Sequence, residues 1–123
     1  MPRASATAHE LSRIELLATL PGERLAKLAS KMRRETVAAG SAPVVEDEAG
    51  DRFYVVLSGI FAVSSAGGLG PRAVLRPGEY FGEVALAMQI PRTATVRALT
   101  PAVVASCDQQ TFDEFVRPLF ADD

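Results

Sequence analysis

The residues with the clearest chemical potential lie in one run, G-E-Y-F-G-E-V-A-L-A-M-Q-I-P-R-T-A-T-V, at positions 78–96. Residues Glu83 to Met88 favour a short helical turn, and Gly82 before them permits close backbone approach. The free amides that open such a turn attract an anion, and Arg92 can donate two parallel hydrogen bonds to one. The carboxylate of Glu83 can accept hydrogen bonds from two hydroxyl groups, such as those of a ribose. Residue types and spacing alone predict either a phosphate site or a surface salt bridge between Glu83 and Arg92 beside a crossover turn.

The elements that must hold this run begin with a helical N-terminal part. Apolar residues fall at helical spacing from residue 10 to residue 34. Ser12 and Glu15 have the spacing of a capping box and predict the start of a first helix, and Pro21 can open a second. Residues 1–9 are predicted to form a frayed or disordered N-terminus.

The middle of the chain has the pattern of short strands, because apolar residues alternate or form short runs between glycine and proline turns. The six candidate strands are Pro43–Val45, Arg52–Leu57, Ile60–Ser64, Arg72–Leu75, Ala94–Ala98 and Val103–Cys107. Gly67–Gly70 is predicted to be a hairpin loop, and helical spacing returns over Gln109–Phe120. Helices, then strands, then a helix predict one α+β domain over residues 10–120, with the strands in a small barrel or jelly roll.

Composition and charge exclude several classes of protein. The formal net charge of −2 provides no basic surface for a nucleic-acid partner. One histidine, His9, and one cysteine, Cys107, cannot supply a metal cluster or a Ser–His or Cys–His pair, so neither a metal nor catalysis is expected. The unpaired cysteine and the short apolar runs predict a domain in the cytoplasm, or on the cytoplasmic side of a membrane protein, that does not itself insert into the membrane.

The two halves of the run resemble a known motif. F-G-E-V-A-L at Phe81–Leu86 and P-R-T-A-T-V at Pro91–Val96 resemble the phosphate-binding cassette of cyclic nucleotide-binding domains. G-D-R-F-Y-V-V-L-S-G at Gly50–Gly59 and L-R-P-G-E-Y at Leu75–Tyr80 are similar to further stretches of that family. The resemblance implies an eight-stranded β-roll flanked by N-terminal and C-terminal helices. It also implies a regulatory sensor whose ligand is cAMP or cGMP, without an additional cofactor.

The resemblance assigns roles to residues of the cassette. Arg92 matches the arginine that pairs with the cyclic phosphate, and Glu83 matches the glutamate on the ribose 2′-hydroxyl. Gly82 and the amides near Val84 and Ala85 match the backbone contacts to sugar and phosphate.

Further positions match the base side of the family's pocket or depart from its pattern. Thr93 matches a Ser/Thr position beside the phosphate that can also reach the exocyclic amine of a guanine, and Ala73 and Leu75 match positions that line the base pocket. Asp47 stands where a tight turn usually has glycine, so mild strain is expected there. The helix that closes over the base in the family is expected to be missing, because the sequence stops at Asp123.

The resemblance implies an attached effector such as a channel, a transporter, a kinase or another enzyme. Contacts at Glu83–Ala85 are expected to reposition the C-terminal helix at Phe112–Val116, which transmits the signal. The alternative is a degenerate module that kept the fold for protein contacts but lost the ligand. Intact Glu83, Arg92 and Thr93 argue against that alternative.

Overall fold

The structure, a computed structural model, describes residues 5–66 and 73–120. It has the α+β composition predicted, with helices before and after two antiparallel sheets. The helices are α1 (Ala8–Leu11), α2 (Gly22–Lys31), α3 (Glu83–Met88) and α4 (Gln109–Thr111), and a 3₁₀ turn covers Leu17–Thr19. The strands are β1 (Arg33–Val37), β2 (Arg52–Ser58), β3 (Phe61–Ser64), β4 (Ala73–Leu75), β5 (Tyr80–Phe81), β6 (Thr95–Ala98) and β7 (Ala102–Asp108).

The two sheets enclose the interior of a roll. One sheet has the strand order β1-β7-β2-β5, and the other has the order β4-β3-β6. The described residues thus contain seven strands, not the eight that the resemblance implied. The prediction of a strand at Pro43–Val45 is wrong, because this segment forms only an isolated β-bridge, between Val44 and Val96. The predicted loop at Gly67–Gly70 lies outside the described residues.

The sequence did not predict strand β1, because the helical spacing of apolar residues extended to residue 34, into the first residues of the strand. The helix α2 ends at Lys31, and Met32 already has an extended backbone. Strand β1 then pairs with β7, from Arg33 opposite Ser106 to Val37 opposite Ala102. Because β1 is an edge strand, its charged side chains can face solvent, and they hide the alternation that would identify it.

The N-terminal capping box lies earlier than predicted. The Thr7 hydroxyl accepts from the amide of Glu10 at 3.1 Å, and the Glu10 carboxylate accepts from the amide of Thr7 at 3.1 Å. The capping box proposed for Ser12 and Glu15 is wrong, because the Ser12 hydroxyl instead donates to the carbonyl of His9.

Residues just before α1 are part of the fold, although the sequence predicted a frayed N-terminus there. Ala6 is buried, and its amide donates to the carbonyl of Met32 at 3.0 Å. Ser5 forms a β-bridge with Arg33. This segment is ordered by a contact with a residue far along the chain, which its local sequence does not reveal.

Strand β2 separates two apolar clusters, because successive side chains of a strand point to opposite faces. Phe53 and Val55 face the cluster formed with the N-terminal and C-terminal helices. Tyr54 and Val56 face the cluster inside the roll. The N-terminal and C-terminal helices therefore pack on the outer face of the four-stranded sheet, opposite to the cluster inside the roll.

The C-terminal helix, predicted over Gln109–Phe120, follows the N-cap Asp108, whose carboxylate accepts from the amide of Thr111 at 2.9 Å. It continues as a π-helical segment over Phe112–Val116 and as a 3₁₀ turn to its end. Its apolar residues Phe112, Phe115 and Val116 are buried in the cluster on the outer face of the four-stranded sheet. In the part of the chain that the structure describes, no helix is long and apolar enough to cross a membrane.

Candidate ligand-binding site

Helix α3 coincides with the helical turn predicted at Glu83–Met88, which lies in the first part of the cassette. Gly82 precedes it with φ 92°, a left-handed conformation that glycine adopts without strain. Space is also limiting, because a Cβ at Gly82 would lie 3.0 Å from the carbonyl oxygen of Arg52 and 3.1 Å from Nη1 of Arg92. A glycine is thus required where the chain turns from β5 into α3.

Arg92 is buried, with 6% of its surface exposed. Its Nη1 donates to the carbonyl oxygen of Gly82 at 3.1 Å, and its Nη2 donates to the carbonyl oxygen of Arg52 at 2.8 Å. No ion pair joins it to Glu83, so the alternative of a surface salt bridge between them is wrong. Burial lowers the pKa of Arg92, while Tyr54, Asp51 and Glu83 act in the opposite direction.

The backbone of Arg92 is also fixed. Its amide donates to the carbonyl of Glu48 at 2.8 Å, and its carbonyl accepts from the amide of Asp47 at 2.8 Å. Asp47 has φ 72°, so it adopts the left-handed conformation expected from its place at a usual glycine position. Gly50 lies against the same side chain, since a Cβ there would approach Nε of Arg92 to 2.6 Å. The segment at residues 47–50 therefore positions Arg92.

A cavity of about 240 Å³ lies between α3, the start of β6 and the inner faces of β3 and β4. It brings together all the predicted site residues except one: Leu75, Gly82, Glu83, Val84, Ala85, Arg92 and Thr93 line it. Ala73 does not, because its small side chain is exposed on the edge strand β4.

Sequence reasoning missed much of the apolar wall. The further lining residues are Val44, Val63, Tyr80, Phe81, Ala94 and Val96. Val63 lies opposite Val96 on β6, and Leu75 comes from β4 on the other side of β3, so strand pairing assembles the wall from separate segments. The alternation of side chains along β3 could have indicated that Val63 faces inward. It could not indicate which strands pair with β3.

The cavity is lined by both polar and apolar residues. Arg92, Glu83 and Thr93 provide a cation, a carboxylate and a hydroxyl. Val63, Leu75 and the other aliphatic side chains form an apolar surface. This arrangement suits a ligand that combines an anionic group and hydroxyls with a flat apolar part.

The domain is a small β-roll with a cavity beside α3. The family model described as the cyclic nucleotide-binding domain matches residues 34–118, and the chain belongs to this family. The resemblance seen in the cassette is therefore confirmed at the level of the family.

Curated relatives include fungal cAMP-dependent protein kinase regulatory subunits. That of Yarrowia lipolytica is 39% identical over 109 residues, covering 89% of this chain and 29% of the relative. That of Candida albicans is 37% identical over 109 residues, covering 89% of this chain and 24% of the relative. The chain thus spans about a quarter of the length of these relatives.

Solved structures with the same fold include two that contain cAMP. A cAMP-bound PfPKA-R fragment superposes with a TM-score of 0.86 at 26% identity, covering 92% of this chain and 39% of that one. The regulatory domain of Toxoplasma gondii PKA with cAMP superposes with a TM-score of 0.82 at 29% identity, covering 91% of this chain and 44% of that one.

Proposed function

We propose that the domain is a regulatory, non-catalytic sensor that binds a cyclic nucleotide, cAMP or cGMP, in the cavity beside α3. The observation that carries the proposal is Arg92, a buried cation on the cavity wall whose two hydrogen-bond acceptors are neutral backbone carbonyls. A buried charge is costly without a countercharge, and a cyclic phosphate supplies one.

The guanidinium keeps donors available for this phosphate. Arginine has five N–H groups in a planar fork, and the bonds to Gly82 and Arg52 use only part of them. The amides of Val84 and Ala85 at the start of α3 would face the same phosphate, and their residues line the cavity with Arg92. The bonds to the two carbonyls hold the fork in place before the ligand arrives.

The remaining polar side chains fit the sugar and the base. In this proposal Glu83, which lines the cavity, accepts the hydrogen bond of the ribose 2′-hydroxyl. Thr93 lies beside the phosphate, and the base contacts the apolar wall at Val63 and Leu75. Among the two nucleotides, cAMP is favoured by the relatives, which are cAMP-dependent protein kinase regulatory subunits.

The output of the domain is a change in the C-terminal helix, which packs against the outer face of β2 and contacts the end of α3. The relatives favour a protein kinase as the effector, and a channel, a transporter or another enzyme would use the same mechanism. We propose a cytoplasmic location for this activity, without binding of nucleic acid or insertion into a membrane.

Calorimetric titration with cAMP and with cGMP tests the function. The wild-type domain should bind at least one of them with one site per chain, and Arg92→Ala should lose most of the affinity. Circular dichroism and thermal melting of both proteins verify that they fold. A wild-type domain that is folded but binds neither nucleotide would support the degenerate module instead.

A further inference from the structure

Two side chains of the C-terminal helix, oriented by a third, bind the end of α3 that points away from the proposed ligand. Gln109, Asp113 and Arg117, here called the carbonyl clamp, lie one helical turn apart on one face of the C-terminal helix. Arg117 donates from Nη1 to the carbonyl oxygen of Ala87 at 3.0 Å and from Nη2 to that of Leu86 at 3.1 Å. Gln109 donates from Nε2 to the Leu86 carbonyl at 3.1 Å.

Asp113 orients the two donors of the clamp. Its Oδ1 accepts from Nε of Arg117 at 3.0 Å, from Nη2 of Arg117 at 2.8 Å and from Nε2 of Gln109 at 2.9 Å. These bonds hold the pKa of Asp113 below its usual range, with the hydrogen bond from Arg117 as the first cause. The guanidinium also lies 5.5 Å from the ring centre of Phe112. The clamp is therefore a connected network and not a single surface contact.

The clamp supplies hydrogen bonds that α3 needs. The last carbonyl groups of any α-helix lack intrahelical donors. In α3, the Ala85 carbonyl accepts from backbone amides at Gln89 and Ile90, whereas Leu86 and Ala87 accept from the side chains of the clamp. A cation at this end of the helix also has the favourable sign for the helix dipole.

Helix α3 has only six residues, so its two ends are about 9 Å apart. Its first residues, Glu83, Val84 and Ala85, line the ligand cavity, while its last turn is held by the clamp. A helix this short moves as one body. Its tilt, which sets where the first amides point, therefore depends on what holds its other end as well as on the bond from Arg92 to Gly82 at its start.

We propose that Arg117, oriented by Asp113 and assisted by Gln109, is a positioning residue for the cyclic nucleotide site. It holds α3 in its binding position and links occupancy of the cavity to the C-terminal helix. The inference rests on the proposed function and adds the residues through which ligand binding is regulated. Coupling of this kind is reciprocal, so a ligand at α3 also stabilises the C-terminal helix through the clamp.

Arg117→Ala and Arg117→Lys test the clamp, with Glu114→Gln as the matched control. Glu114 lies on the same helix and is exposed, and its backbone carbonyl, not its side chain, accepts from Arg24. Calorimetry should give a cAMP affinity lower by about tenfold in Arg117→Ala, which corresponds to about 1.4 kcal/mol. Arg117→Lys should recover part of the loss, because lysine keeps the charge but lacks the fork. The control should match the wild type.

Hydrogen exchange followed by mass spectrometry separates positioning from a general loss of stability. In the wild type, cAMP should slow exchange both in α3 and in the C-terminal helix. In Arg117→Ala, cAMP should still slow exchange near Gly82, but its effect on the C-terminal helix should be lost. Equal protection of the C-terminal helix by cAMP in Arg117→Ala and in the wild type would overturn the proposal.

The ligand-free samples test the clamp independently of the proposed function. Without nucleotide, Arg117→Ala should raise the exchange rate of the α3 amides about tenfold, and Glu114→Gln should not. If the wild type bound neither nucleotide, the proposed function would be wrong. The ligand-free exchange rates of α3 in the wild type and in Arg117→Ala would still show whether the clamp holds this helix. Unchanged exchange of α3 in ligand-free Arg117→Ala would overturn the clamp even if cAMP bound.

Discussion

Nη2 of Arg92 donates a 2.8 Å hydrogen bond to the carbonyl oxygen of Arg52, the first residue of β2. Nη1 bonds the carbonyl of Gly82, the residue before α3. Both acceptors are uncharged, so these bonds fix the position of the cation without neutralising its charge. Arg92 is thus a structural link between β2 and α3 as well as the proposed partner of a phosphate.

Replacing Arg92 should therefore affect binding and stability together. Loss of a charge-assisted pair costs about 2–5 kcal/mol, so Arg92→Ala should weaken cAMP binding by roughly 30-fold to several thousand-fold. The two carbonyls lose their donor, which should lower the free energy of unfolding by about 1–3 kcal/mol. Arg92→Lys should recover part of the affinity, because a lysine offers charge without the fork. Calorimetry and urea denaturation measure both effects, and near wild-type affinity in Arg92→Ala would refute the site.

Glu83 can be tested with a modified ligand. If it accepts the ribose 2′-hydroxyl, then 2′-deoxy-cAMP should bind the wild type weakly and lose little more in Glu83→Gln. A thermodynamic cycle that combines the wild type and Glu83→Gln with cAMP and 2′-deoxy-cAMP isolates the energy of this contact. Calorimetry supplies the four affinities. Additive losses from the mutation and from the deoxy ligand would show that Glu83 acts elsewhere, for example as a charge at the start of α3.

Gly50 offers a steric test of the position of Arg92. A Cβ there would lie 2.6 Å from Nε and 2.7 Å from Cζ of Arg92, and 2.8 Å from Cβ of Ala85. Gly50→Ala should displace the guanidinium and lower cAMP affinity by about tenfold or more, equivalent to about 1.4 kcal/mol. Gly22→Ala is the control, since nothing lies within 4 Å of a Cβ at that position in α2. Equal affinities of the two variants would mean that Arg92 does not need its observed position.

Local patterns in the sequence were sufficient to predict helix α3. E-V-A-L-A-M predicted a helical turn, which the structure has at Glu83–Met88, and the place of Asp47 at a usual glycine position of the family predicted its unusual turn conformation. Each of these features depends on neighbouring residues. The family resemblance assigned Arg92 to a phosphate, whereas spacing alone left a surface salt bridge with Glu83 equally open.

Features that depend on distant partners could not be predicted in the same way. Strand β1 exists because it pairs with β7, and Ala6 is ordered by the carbonyl of Met32. The carbonyl clamp joins Arg117 to Ala87, thirty residues away, through bonds to backbone atoms that any residue carries. No residue type at Leu86 or Ala87 indicates such a partner, so only the folded structure reveals it.

Cys107 should make stability depend on pH in the alkaline range. Burial raises the pKa of its thiol from 9.0 to about 12. Between these values the unfolded chain loses a proton that the folded chain keeps, so the free energy of unfolding should fall as pH rises, by up to about 1.4 kcal/mol per unit. Below pH 9.0 this contribution is fully present. Urea denaturation of the wild type and Cys107→Ala at a series of alkaline pH values measures the slopes, and equal slopes would contradict the prediction.

Selectivity between adenine and guanine should be weak, because the wall proposed for the base is almost entirely apolar. Val63, Leu75 and Val96 offer no hydrogen bond to either base, whereas Thr93 is exposed and carries a hydroxyl. A hydrogen bond of this kind contributes about 0.5–1.5 kcal/mol, so the affinities for cAMP and cGMP should differ by less than about tenfold.

Thr93→Ala makes this prediction specific to one side chain. Removing the hydroxyl should lower the affinity for cGMP by up to about tenfold and leave that for cAMP within about twofold, because the hydroxyl is expected to reach the 2-amino group of guanine, which adenine lacks. Calorimetry of both proteins with both nucleotides gives the four affinities. Thr93→Ser keeps the hydroxyl and should behave as the wild type. A strong preference that survives in Thr93→Ala would mean that another group covers the base, and Phe120 is the first candidate, since its ring lies 5.7 Å from that of Tyr80 at the cavity.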